Sequence, residues 1–275
     1  MKTTLIIFAL VLLASCSSSR IERRIDDVHW DSLADESYLR WGENRLEKFS
    51  GNQHPVINCY KGKAKETLVQ YKRDYEKLSQ TPYYWLHIGN CYFVQDAWSK
   101  AEFYYRMSIE ESKSSTVKSI AMNNLALIHF KHEQWEKGKE LLKDSMKSAS
   151  GFKVPRYNMA QLYLQFGHYD RAIELLTEGP FKGTQDVDVY FLLANAWLYK
   201  GNLETSGKYF SQIPKHHFRR EDIAATYALY LIRKNDIKGA FAVMKARERS
   251  GVLEITAISQ KIEKMLAVRM KEDKE

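Results

Sequence analysis

A chain of 275 residues, 44% hydrophobic and 28% charged, can bury a large core and is too apolar to remain unfolded. Only 5 Pro and 13 Gly interrupt it, and alternating apolar-polar segments are absent, which leaves an all-α chain. The formal net charge of +8 is interspersed along the sequence. It therefore favours acidic partners, anionic lipid or peptidoglycan without naming one, and no nucleic-acid module is recognisable.

The first element is a leader. Lys2 supplies a positive start, and Leu5 to Leu13 is an unbroken apolar run, too short to span a bilayer but long enough for a signal-peptide core. It stops at Leu13-Ala14-Ser15-Cys16, which resembles the bacterial lipobox, where small residues precede a cysteine. That resemblance implies a signal peptide over residues 1–15, cleavage before Cys16 and lipid attachment to Cys16. An ordinary secretory signal with an incidental cysteine is the alternative. Several acyl chains on one residue hold a protein to a membrane far more firmly than one chain does. Residues 16–28, opening with Ser17-Ser18-Ser19, then form a flexible tether. Enteric inner-membrane lipoproteins favour Asp at the position of Ser17, so the expected location is the outer membrane, with the remainder in the periplasm. There the chain would not meet nucleic acid.

Residues 29–81 form the next region. Trp30, Leu33, Tyr38, Trp41, Leu46 and Phe49 give 29–50 the pattern of an amphipathic helix. A second helix is expected over 61–79, and Pro55 breaks the partner helix that would precede it. Cys59 and Cys91 are the only cysteines after Cys16. In an oxidising periplasm they are a candidate disulfide, although a buried free cysteine is common too.

From residue 82 onward the chain repeats. Gly89, Ala126, Ala160, Ala194 and Ala228 recur at spacings of 37, 34, 34 and 34. Ala101, Gly138, Ala172, Ser206 and Ala240 keep the same spacings, as do Tyr92, His129, Tyr163, Trp197 and Leu231. A further rung, Trp98, Trp135, Tyr169, Leu203 and Ile237, opens the second helix of each unit. Small residues at two fixed positions allow two helix backbones to approach, and large residues beside them fill the space between units. Asp96, Glu133, Gly167, Gly201 and Asn235 fall between the helices, where Gly and Asn best accept a left-handed conformation. One such pair cannot bury its apolar face alone, so stacking completes the core.

These residues resemble the tetratricopeptide repeat, whose 34-residue pattern reads W-x2-L-G-x2-Y, then A-x3-F, then P. The first unit supplies Trp85, Ile88, Gly89, Tyr92, Ala101 and Tyr105, and the fourth Tyr190, Leu193, Ala194, Trp197, Ser206 and Phe210. The family's final Pro is missing from every unit. The resemblance implies a right-handed superhelical solenoid of antiparallel helix pairs, with five repeats over 82–250 and flanking helices. Residues 251–275 then supply a capping helix, striped by Ile255, Ile258, Ile262, Met265 and Leu266, and a tail.

The resemblance also implies a protein-binding groove lined by the first helix of each unit. Carried over by register, it takes Tyr83, Leu86, Asn90 and Phe93 from the first unit and Asn123, Leu127 and Phe130 from the second. Tyr157 and Gln161 come from the third, and Phe191, Asn195 and Tyr199 from the fourth. Such a surface suits an extended or helical peptide, with amide side chains able to pair with its backbone. The chaperone-binding subtype needs lysines where Leu86 and Ile120 stand, so its carboxylate clamp is not expected even though Asn90 and Asn124 match.

Catalytic constellations are weak. His129, His132 and Glu133 do not match the zinc-protease order, and two of them occupy repeat positions. His216 and His217 lie in a basic KHHFRR loop. No nucleophile stands with an oriented base, and no phosphate loop is present. We therefore expect no enzyme, no metal and no cofactor. The expected function is an envelope-anchored adaptor or scaffold for assembly of a pilus, secretion, outer-membrane or cell-wall machine. Its partners would be other envelope proteins or peptide segments, with the membrane reached through the lipid. The alternatives are a cell-wall-active enzyme that uses the repeats as a docking arm and a self-assembling structural subunit.

Overall fold

The computed structural model describes residues 55–249 and 253–272. The leader, Cys16, the tether and the helix expected over 29–50 lie outside the described residues. Short helices come first: α1 (Ile57–Tyr60), α2 (Ala64–Arg73) and α3 (Tyr75–Leu78). The single helix expected over 61–79 is thus broken at Asp74. Five helix pairs follow: α4 (Tyr84–Phe93) with α5 (Trp98–Glu111), then α6 (Ser115–Lys131) with α7 (Trp135–Ser148). The third is α8 (Lys153–Gln165) with α9 (Tyr169–Thr177), the fourth α10 (Val187–Tyr199) with α11 (Leu203–Gln212) and the fifth α12 (Glu221–Arg233) with α13 (Ile237–Ala246). A long last helix, α14 (Leu253–Glu272), packs on the fifth pair. The described chain is an all-α solenoid.

All five turns between paired helices are built alike. Asp96, Glu133, Gly167, Gly201 and Asn235 have positive φ values of 56°, 57°, 76°, 88° and 64°. In each, the amide of the next residue donates back to the carbonyl five residues earlier, in the last turn of the first helix. These bonds are Ala97 to Tyr92, Gln134 to His129, His168 to Tyr163, Asn202 to Trp197 and Asp236 to Leu231, at 2.8–3.0 Å. This is the Schellman ending of a helix, which satisfies a carbonyl that would otherwise have no partner. The acceptors form one rung of the repeat, so the sequence period is also a hydrogen-bond period. Several helix starts are capped as well: Ser114, Asp186, Asn202 and Asp236 each accept a backbone N–H of the first turn.

Each first helix sits between its own partner and the second helix of the preceding unit. For that reason α6 and α10 are buried along most of their length, whereas α7 buries only Gly138, Leu142 and Ser145. The outer face of α7 carries ion pairs such as Lys143–Glu140 at 2.7 Å, which at this exposure contribute little. The small-residue rungs are closed to solvent: Ala101, Ala126, Ala160, Ala172, Ala194, Ala228 and Ala240 are all fully buried. At Gly138 the space is used by a neighbour, since a Cβ there would stand 2.2 Å from the Phe130 ring. Gly138→Ala should therefore displace that ring. We expect a net loss of about 1–2 kcal/mol after alanine's better helix propensity is allowed for, read as a lowered thermal midpoint by circular dichroism.

At the N-terminal end, Cys59 and Cys91 form a disulfide, with Cα atoms 5.1 Å apart, that ties α1 to α4. Below it, Tyr71 of α2 bonds His87 Nδ1 through its hydroxyl at 2.8 Å and meets Tyr84 edge to face. At the other end, α14 buries Ile255, Ile262 and Leu266, while Ile258 (52% exposed) and Met265 (38%) face solvent. The expected stripe is thus wider than the face that receives it. Arg247 Nη2 holds Glu263 at 2.7 Å and so clasps the cap to the fifth pair.

Candidate functional site

Neighbouring first helices touch directly, α4 on α6, α8 on α10 and α10 on α12, which places them on the inside of the curve. The residues expected to line a groove lie on these helices or at their ends. Most of them are buried. Leu86, Asn90 and Asn123 are 0% exposed, and Phe93, Leu127, Tyr157 and Phe191 are also buried. Leu86, Phe93, Leu127, Tyr157 and Phe191 belong to the main apolar core. Phe130 is half-buried, stacked on Trp135 and seated over Gly138. At these positions the register falls on residues packed between the helices of the solenoid.

The amides on this face have a structural task. Asn158 Nδ2 donates to Asn123 Oδ1 at 2.8 Å, Asn123 Nδ2 to Asn124 Oδ1 at 3.0 Å, and Asn124 Nδ2 to Asn90 Oδ1 at 2.9 Å. Asn90 Oδ1 also accepts from the Tyr105 hydroxyl at 2.8 Å. The result is a head-to-tail chain of buried amides that laces α8 to α6 and α6 to α4. Each bond polarises the next, and in a water-free seam such a chain fixes the register of the units. Asn158 was not among the expected residues.

At the C-terminal end of the same face a charged cluster replaces the amides. Arg220 Nη1 bonds Asp188 Oδ1 at 2.6 Å, joining α12 to α10. Its Nη2 and Nε grip the two oxygens of Asp222 at 2.7 and 3.2 Å. All three side chains are at most 9% exposed. Burial alone would lower the guanidinium's pKa, but the two carboxylates outweigh it and raise the value further above its ordinary range. Burial, and next the Asp188 charge, push the Tyr157 phenol well above its usual value, so it remains protonated. Arg220 falls at the end of the run read as a solvated basic loop, where Lys215–Arg219 is a turn of 3-10 helix.

Four expected residues remain accessible. Tyr83, Gln161 and Asn195 are half-buried, and Tyr199 is 48% exposed, stacked on Tyr169. Gln161 and Asn195 occupy one repeat position, 34 residues apart. Their carbonyl oxygens Oε1 and Oδ1 are buried without a hydrogen-bond partner. His129 is buried and its Nδ1 bonds Gln134 Oε1 at 2.8 Å. A second surface lies beside the inter-helix turns of units two and three, an open cleft of about 570 Å³ lined by Trp135, Tyr163, Phe166, His168 and Arg171 among others. Trp135 and Phe166 meet there edge to face at 5.5 Å, and Phe166 is 49% exposed.

Residues 129–196, from the end of α6 into α10, match the tetratricopeptide repeat family model. Among solved structures, one described as MamA MSR-1 C2 is similar at 15% identity and a TM-score of 0.45, covering 67% of this chain and 97% of that one. No curated protein matches the chain.

Proposed function

We propose that the chain, whose residues 129–196 match the tetratricopeptide repeat family model, is an envelope-anchored adaptor, lipidated at Cys16, that holds a protein partner of a larger envelope assembly. Protein binding is the general task of such repeats. The observation that carries the finer reading is the Cys59–Cys91 disulfide, which stands downstream of the lipobox-like Leu13-Ala14-Ser15-Cys16. Stable disulfides belong to oxidising compartments, so an exported solenoid accounts for both features at once. Ser17 favours the outer membrane, with the solenoid in the periplasm. Two surfaces are open to a partner, the accessible part of the inner face at Gln161, Asn195 and Tyr199 and the aromatic cleft at Trp135 and Phe166.

Two measurements test this. An alkyne-palmitate label should enter the wild-type protein and be absent from Cys16→Ala, which should leave the membrane fraction. Capture from detergent-solubilised envelope should then recover the same protein reproducibly, and Gln161→Lys with Asn195→Lys should abolish its recovery while the helical signal is unchanged. Lack of labelling would defeat the anchor. Capture that survives the inner-face change but is lost on Trp135→Glu would move the site to the cleft.

A further inference from the structure

We propose that the solenoid edge formed by the inter-helix turns of units two to five lies on an anionic lipid surface, as a membrane contact in its own right. This contact goes beyond the adaptor reading, since it needs neither the acyl chain nor a protein partner, and it leaves the inner face to that partner.

Two observations carry it. The first is a row of rings that crosses the seams between units at their turns. Trp135, which opens α7, stacks on Phe130 at 5.9 Å and meets Phe166, just past the end of α8, edge to face at 5.5 Å. One seam further, Tyr169 opens α9 and stacks on Tyr199, the last residue of α10, at 6.2 Å. The Arg233 guanidinium lies over the same Tyr199 ring at 5.5 Å. Phe166 and Tyr199 are nevertheless 49% and 48% exposed. The rings spend their faces on one another, and the turn amides are already bonded within the turns, so the edge offers a peptide backbone little to pair with. What it turns outward is aromatic tips beside cations, the combination that settles at the headgroup level of a bilayer.

The second observation is charge. Lys137, Arg171, Arg233 and Lys234 stand exposed along this edge, and none of them is ion-paired among the described residues. The neighbouring carboxylates are mostly committed: Glu136 pairs with Lys139, Asp170 with Lys200 and Glu204 with Lys208, while Asp236 caps α13 at Gly239. Glu133 alone is left to oppose the four cations. Arg233 is also preset, since the Leu198 carbonyl accepts from its Nη1 while the Tyr199 ring lies beneath it. A guanidinium fixed in this way keeps its remaining N–H groups for phosphate oxygens, which it can grip in pairs. An anionic bilayer presents such phosphates in a plane, which suits a line of turns set side by side. Each Lys or Arg near that surface strengthens binding about fivefold.

The test sediments the mature chain with Cys16→Ala, free of acyl chains and of other proteins, with lipid vesicles. Vesicles of equal parts phosphatidylglycerol and phosphatidylcholine should retain it, less so at high salt, and vesicles of phosphatidylcholine alone should not. Lys137→Gln with Arg171→Gln, and separately Arg233→Gln with Lys234→Gln, should each weaken retention about 25-fold while circular dichroism stays the same. Phe166→Ser should weaken it several-fold. Lys182→Gln with Lys215→Gln removes two exposed cations from the connections between units, at the opposite edge, and should leave retention near wild type. Equal losses in all three double variants would show attraction to net positive charge alone and overturn the proposal, as would no retention on the anionic vesicles. Absent retention together with envelope capture that is lost on Trp135→Glu gives the edge to a protein and overturns it too. The probe has no anchor and no partner, so failure here leaves the palmitate and capture results intact, and their failure leaves vesicle retention standing.

Discussion

Replacing Arg220 by methionine should destabilise the C-terminal part of the solenoid by about 3–5 kcal/mol, the largest effect we expect from any single substitution. The reason is an asymmetry of burial. Arg220 is the shared counter-charge of Asp188 and Asp222, and all three side chains are nearly closed to water. Truncating either carboxylate leaves the guanidinium paired with the other, whereas removing the guanidinium leaves two carboxylates close together in a buried seam. In a linear array the damage stays close to the broken interface. Amide exchange should therefore accelerate in α12, α13 and α14, which hang on the fourth unit partly through this cluster, while α4 to α9 keep their protection. A triple change, Arg220→Met with Asp188→Leu and Asp222→Leu, should recover most of the loss, since a buried ion cluster is often no better than an apolar one of equal volume. A loss below about 1 kcal/mol for Arg220→Met would show that water reaches the cluster and screens it.

The contrast between this cluster and the repeat ladder explains what the sequence discloses. The turns were legible because each needs one residue that tolerates positive φ, and Gly167, Gly201 and Asn235 advertise that need directly. Asp96 and Glu133 do not, and they become readable only by alignment with the others. The small rungs were legible for the same reason, since repetition at 34 residues exposes a packing constraint that one unit hides. The inner face was not legible. A first helix flanked on two sides by second helices is apolar nearly all round, so its sequence carries no phase that separates a seam position from an open one. Asn90 and Asn123 look like ligands for a peptide backbone, and they also bond Asn124 and Asn158 between units. Arg220 was hidden differently. Its partner Asp188 lies 32 residues upstream, and the basic run around it suggests solvent. An Arg two residues before an Asp, opening a first helix, was the signal available.

The second large effect concerns the other end. Loss of the Cys59–Cys91 bond in Cys59→Ala with Cys91→Ala should cost about 3–4 kcal/mol, the chain-entropy value for a loop closed over a separation of 32 residues. Its expression should again be local, because α1 and α2 are held to the five helix pairs chiefly by α4. Below the disulfide, α2 keeps Tyr71 on His87 and Tyr84, so detachment should begin at Val56 and Tyr60 and not at Tyr71. Trypsin should then cut after Lys61, Lys63 and Lys65 at least a hundredfold faster, at 1.4 kcal/mol for each factor of ten, while sites beyond Trp98 remain resistant. Reduction of the wild-type protein should produce the same pattern, more slowly, since Cys59 and Cys91 are at most 2% exposed. Unchanged cleavage would mean that the apolar contacts of α2 suffice to hold this end.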